Sequence, residues 1–169
     1  SCRVYLKFMS IAINYNKTSF KNNASNIVLF SDEKFSLSNV KKYISSSEFS
    51  FISELLKNRD LSKKIHDFDL NSKRKIILVS LKSNSKSSDV ENLGAKFYEL
   101  FKDSKNTNYI LNSDSITNKL KNLLGHFLHG LKLKSYKFEK YKTKKSKNKM
   151  SIFIIGKNRT SSKDQIKFK

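Results

Sequence analysis

His126 and His129 stand three residues apart in the run GHFLHGLKL, and on a helix that spacing puts them on one face. Two imidazoles so placed are half of a zinc site. The other half is missing, because no carboxylate or third histidine lies within a turn of them. His129 also ends an apolar stripe, where the helix dipole alone favours a histidine. Cys2 is the only cysteine, so neither an internal disulfide nor a thiolate zinc site can be built. No metal ligand is assigned.

Other chemistry fares no better. Serines are frequent, but no G-x-S-x-G elbow is present, and Cys2 sits in a doubtful terminus. Phosphate cradles need glycines where backbone N–H groups approach an anion. Gly94, Gly125, Gly130 and Gly156 are isolated, and none falls in a strand-to-helix loop. Asp67 and Asp69 project from one face of a strand, with Asp89 further on, but an exposed edge strand accounts for the pair equally well. No catalytic or cofactor-binding residue is assigned.

One segment keeps two readings open. SYKFEKYKTKKSKNK (135–149) interleaves Tyr136, Phe138 and Tyr141 with lysines. In an extended chain Tyr136 and Phe138 share a side, and rings among lysines can stack bases and neutralise phosphates. Tyr136, Phe138, Tyr141, Lys142, Lys144 and Lys145 are therefore candidate nucleic-acid contacts. The same pattern suits rings packed on a core with the lysines left wet. The formal charge of +21 keeps a polyanion partner in view. Only four of the 35 basic residues are arginine, however, and arginine supplies the planar fork that reads phosphate and guanine.

These residues must be positioned by a chain of 169 residues, 37% of them hydrophobic, which suits one domain with its own core. IAINY (11–15) and NIVLF (26–30) read as strands, with a helical pattern at Leu37, Val40 and Ile44 and a short helix over 47–57. KKIHDFDL (63–70) alternates as a half-buried strand, and KIILVSL (75–81) is a strand covered on both faces. Ser88 and Glu91 form a capping box for a helix carrying Val90, Leu93, Phe97, Leu100 and Phe101. NYILN (108–112) is the next strand. Asp114 or Ser115 then caps a helix bearing Ile116, Leu120, Leu123, Leu124, Phe127, Leu128 and Leu131. MSIFIIG (150–156) is a last buried strand. This order predicts an α/β fold of three layers, α/β/α, with a mostly parallel mixed sheet flanked by helices.

GHFLHGLKLKSYKFEKYKTKK (125–145) resembles a segment of the leucine aminopeptidase (cytosol aminopeptidase) family. There, the end of the amino-terminal domain runs from a helix through a Gly to Y-x-F-D/E-x-Y-K and further lysines. Gly130, Tyr136, Phe138, Glu139, Tyr141, Lys142, Lys144 and Lys145 fall on that pattern, while His129 stands where many members have Glu. ISELLKNRDLSKK (52–64), KRKIILVSLKS (73–83) and SSDVENLGAKFYELF (87–101) agree in order. The likeness runs from about residue 10 to 169 and is motif-specific over 130–145.

The resemblance implies a macro-domain-like, non-catalytic amino-terminal domain over 10–156 and a linker at 157–169 toward a catalytic domain. Residues 1–8 are then an extension. Family members are metal-dependent exopeptidases that remove amino-terminal residues from peptides, using two divalent metals (Mn or Zn) held in the carboxy-terminal domain. Its N-T-D-A-E-G-R signature is absent here. Expected partners are the chain's own catalytic domain, further copies in a hexamer and peptide substrates, with DNA open because some bacterial members bind it. Cysteine usage and the lack of a long apolar run point to the cytoplasm with no membrane association.

Overall fold

The computed structural model describes residues 11–15, 26–117, 120, 122–140 and 149–156. Its elements in order are β1 (Ile11–Tyr15), β2 (Asn26–Ser31), α1 (Ser46–Leu56), β3 (Ile65–Asp69), β4 (Lys75–Ser80), α2 (Ser87–Phe101), β5 (Asn108–Asn112), α3 (Leu123–Lys140) and β6 (Met150–Ile155). The strands form one sheet in the order β1-β6-β5-β2-β4-β3. All neighbours are parallel except β3, which runs antiparallel to β4 with Asp67 opposite Ile77. A mostly parallel, mixed sheet is what the alternation of apolar runs and helical stripes predicts.

β4 explains why this sheet must be covered twice. Ile76, Ile77, Leu78 and Val79 are all fully buried, so successive side chains enter cores on opposite faces. On one face Ile77 and Val79 meet Val28, Phe30, Tyr109, Leu111, Ile152 and Ile154 beneath α2 and α3. Phe97 and Phe127 meet edge to face at 5.7 Å, and Phe127 meets Phe30 at 5.4 Å. The two helices nearly touch. A Cβ at Gly94 would overlap the Phe127 carbonyl, and one at Gly130 would overlap the Glu91 backbone. These glycines therefore serve helix contact.

On the other face Leu29, Ile76, Leu78 and Phe68 pack against Ile52 of α1 and against Phe35 and Val40. α1 starts on a full capping box. Ser45 Oγ accepts from the Glu48 N–H at 3.1 Å, and the Glu48 carboxylate accepts from the Ser45 N–H at 2.9 Å. The cluster on this face is drawn from β2, β4 and β3, and does not include Ile110, Ala12 or Phe153.

Several sequence expectations shift. The helical pattern at Leu37, Val40 and Ile44 is instead a run of turns with a 3₁₀ turn at Lys41–Tyr43, although all three residues pack as their spacing implies. α2 begins at Ser87, with its cap position at Lys86, two residues before the expected Ser88. Asp89, not Glu91, reaches back to the Lys86 N–H at 3.3 Å. Lysine has no acceptor to complete a box. Neither Asp114 nor Ser115 caps α3, since both belong to a 3₁₀ turn at Ser113–Ser115. α3 also runs on to Lys140, so residues 135–140 are helical rather than extended.

Candidate functional site

In a parallel sheet the loops at the carboxyl edge are free to build a site, most readily where neighbouring strands send their chains to opposite faces. β2 and β5 are such neighbours: β2 leads toward α1, and β5 toward α3 on the other face. A crevice of about 160 Å³ opens there, lined among others by Phe30, Asp32, Glu33, Leu81, Ser115 and Thr117. It is smaller than the roughly 300–1,000 Å³ typical of small-molecule pockets.

The hydroxyls around this crevice hold loops together. Ser115 Oγ accepts from the Phe30 N–H at 2.9 Å and donates to the Asn112 carbonyl at 2.6 Å. Ser80 Oγ donates to the Asp32 carbonyl at 3.0 Å, Ser31 Oγ to the Ser36 carbonyl at 3.1 Å, and Ser113 Oγ to the Ile155 carbonyl at 2.8 Å. An activated nucleophile needs a base within hydrogen-bond reach. These four serines bond to backbone instead. The Asp32 carboxylate accepts the N–H groups of Lys34 and Ser36 at 3.1 and 2.9 Å, closing a turn that places Phe35 at φ 55°. That conformation costs a bulky side chain energy, and burial of the ring against His66, centroids 4.9 Å apart, offsets it. With Asp32 and Glu33 at its rim and no glycine in the 31–36 loop, the crevice is ill suited to a phosphate.

The candidate metal and acid residues are kept apart. His126 Nδ1 lies 3.6 Å from the Glu91 carboxylate across the α2–α3 contact. His66 is buried, its Nε2–H donating to the Lys63 carbonyl at 3.0 Å, and burial holds its pKa below the usual histidine value. Among the described residues no three His, Cys, Asp or Glu side chains converge as metal ligands. Asp67 and Asp69 do share a face, and Lys75 Nζ sits between them at 3.6 and 3.8 Å. The described residues thus do not fit a two-metal centre, which needs several carboxylates converging.

Of the six candidate nucleic-acid contacts, Tyr141, Lys142, Lys144 and Lys145 lie outside the described residues, as does Cys2. Tyr136 and Phe138 do not share a side. Two residues apart on a helix they point about 200° apart. Tyr136 is 38% exposed, whereas Phe138 packs near Tyr98 and carries the Lys102 ammonium over its ring at 3.6 Å. Charge is unevenly spread as well. The described residues hold 20 of the 35 Lys and Arg but 13 of the 14 Asp and Glu, a net +7 of the total +21.

A second opening has no counterpart in any local sequence pattern. Lys64, Lys82 and Lys86 surround a groove of about 470 Å³ at the same carboxyl edge. It is assembled from the residue before β3, the end of β4 and the start of α2, so no local pattern announces it.

This architecture is that of a macro-like α/β domain with a sheet between helical layers. Among solved structures, the chain is similar to a tomato leucine aminopeptidase (mutant K354E) at TM-score 0.65 and 18% identity, covering 94% of this chain and 34% of that one. It is also similar to the macrodomain of Thermus aquaticus DarG at TM-score 0.55 and 8% identity, covering 86% and 99%. No protein-family model and no curated protein matches the sequence. The resemblance read from residues 125–145 is therefore met at the level of the fold, over about a third of the aminopeptidase's length. No helix among the described residues is long and apolar enough to cross a membrane.

Proposed function

We propose that the chain is the non-catalytic amino-terminal domain of a metal-dependent leucyl aminopeptidase. The observation that carries this is the coverage: nearly all of this chain superposes on only a third of an aminopeptidase. The motif run Gly130, Tyr136, Phe138 and Glu139 supports it independently, because superposition depends on shape and the motif on residue type. In this role the sheet and its helices present surfaces to a catalytic domain and to further copies in a hexamer. Two divalent metals, Mn or Zn, and the peptide substrate belong to that catalytic domain, which removes amino-terminal residues in the cytoplasm. The crevice fits the role, since its serines and carboxylate maintain loop geometry.

Reading the transcript past the codon for Lys169 tests this. The proposal expects an open frame encoding a carboxylate-rich metal-ligand block of the N-T-D-A-E-G-R type. A stop codon directly after Lys169 would overturn it.

A further inference from the structure

We infer that the groove bounded by Lys64, Lys82 and Lys86 binds an acidic peptide segment that inserts one apolar side chain. The groove, about 470 Å³, is lined on its apolar side by Leu81, Val90 and Leu93, of which Leu93 is partly exposed and within reach of a ligand while Leu81 and Val90 are buried. Around this apolar floor stand the three lysines. None of their ammonium groups has a carboxylate partner among the described residues, although other lysines of the chain do, such as Lys75 with Asp67 and Asp69 and Lys134 with Glu99. The one carboxylate of the lining, Asp89, accepts from the Lys86 backbone N–H. The lining thus sets three lysines against one carboxylate, a net +2, and this excess attracts an incoming anion.

Ligand class follows from what the walls contain. Base recognition on single strands relies on aromatic platforms, and the ten residues lining the groove include no aromatic ring. Lysine is a point charge that meets a carboxylate without demanding the planar geometry arginine imposes. An apolar floor under a cationic rim matches a leucine or similar side chain flanked by glutamates or aspartates, the anchor-and-rim arrangement of peptide sites. This inference is independent of the aminopeptidase assignment, since it rests on the groove alone.

The test uses the whole 169-residue chain and a fluorescein-labelled hexapeptide, one leucine among glutamates, at about 150 mM salt, where exposed charges are screened beyond about 8 Å. Anisotropy should report saturable binding, and Lys82→Glu with Lys86→Glu should weaken it about tenfold or more. Replacing the peptide's leucine by serine should weaken it several-fold. Lys137→Glu with Lys140→Glu makes the same charge change on the last turn of α3 and should leave affinity within about twofold. A thermal melt of each variant confirms folding, and Lys82→Ala replaces the double variant if it does not fold. Equal losses from both pairs would mean generic lysine attraction and overturn the inference. So would no saturable binding, or tighter binding of a labelled single-stranded DNA than of the peptide under the same conditions.

Discussion

The two faces of the sheet share β2 and β4 but are held differently. Under α2 and α3, rings from both helices and the sheet interlock, and Gly94 and Gly130 let the helix backbones meet. On the opposite face a single helix and a run of turns cover β2, β4 and β3. The first face is fixed by shape, where a methyl group is too much. The second depends on a smaller cluster and on polar pins such as Arg74 to Glu48 at 2.6 Å. Stability should therefore respond to substitution far more sharply on the first face.

Phe127→Ala should have the largest effect, about 4 kcal/mol by denaturant unfolding, because it empties a site bordered by Phe30 and Phe97. A loss below that of any second-face substitution would erase the contrast. Gly130→Ala should cost about 3 kcal/mol although it adds only a methyl, since the Glu91 backbone must move. Ile52→Ala on α1 should cost about 2–3 kcal/mol, and hydrogen exchange should show α1 opening before α2 and α3.

The polar pin gives a smaller effect with a defined pH dependence. Arg74→Ala should cost about 1–2 kcal/mol at neutral pH. Burial opposes ionisation of Glu48, but the Ser45 N–H and the Arg74 guanidinium outweigh it, so its pKa lies below the ordinary 4.5. A depressed pKa contributes stability that is present above 4.5 and is lost as pH falls through the folded value. Urea midpoints of wild type and Glu48→Gln should therefore converge as pH falls from 4.5 through the folded pKa of Glu48. His66 acts at higher pH. Its pKa is lowered mainly by burial, so its contribution is complete above 6.5 and is lost as pH falls through the folded value. His66→Gln should remove that part of the acid sensitivity.

The sequence was most readable where one local signal decided the outcome. β4, β5 and β6 are runs whose apolar, β-branched content has no competing helical period. The cap of α1, Ser45 with Glu48, has the same S-x-x-E spacing that was assigned at Ser88 and Glu91, yet only the first is a cap. Ser88 lies inside a helix that Asp89 had already started, so position relative to the preceding loop decided. The Tyr136–Phe138 alternation suggested an extended chain, but helix α3 has no glycine or proline to stop it there, and Phe138 reaches Tyr98 from the helix. The groove was invisible because Lys64 joins Lys82 and Lys86 only through β3–β4 pairing, in which the Ser80 N–H donates to the Lys64 carbonyl at 2.8 Å.

Common to both faces is a platform whose polar groups maintain loops and in which, among the described residues, no cluster of metal-ligating side chains converges. Hydrolysis of leucyl-p-nitroanilide by the isolated 169-residue chain, with Mn²⁺ or Zn²⁺ added, tests this most directly. The expected result is release of p-nitroaniline no faster than in buffer with the same metal. Metal-dependent turnover that copurifies with the chain and disappears on its thermal unfolding would contradict it.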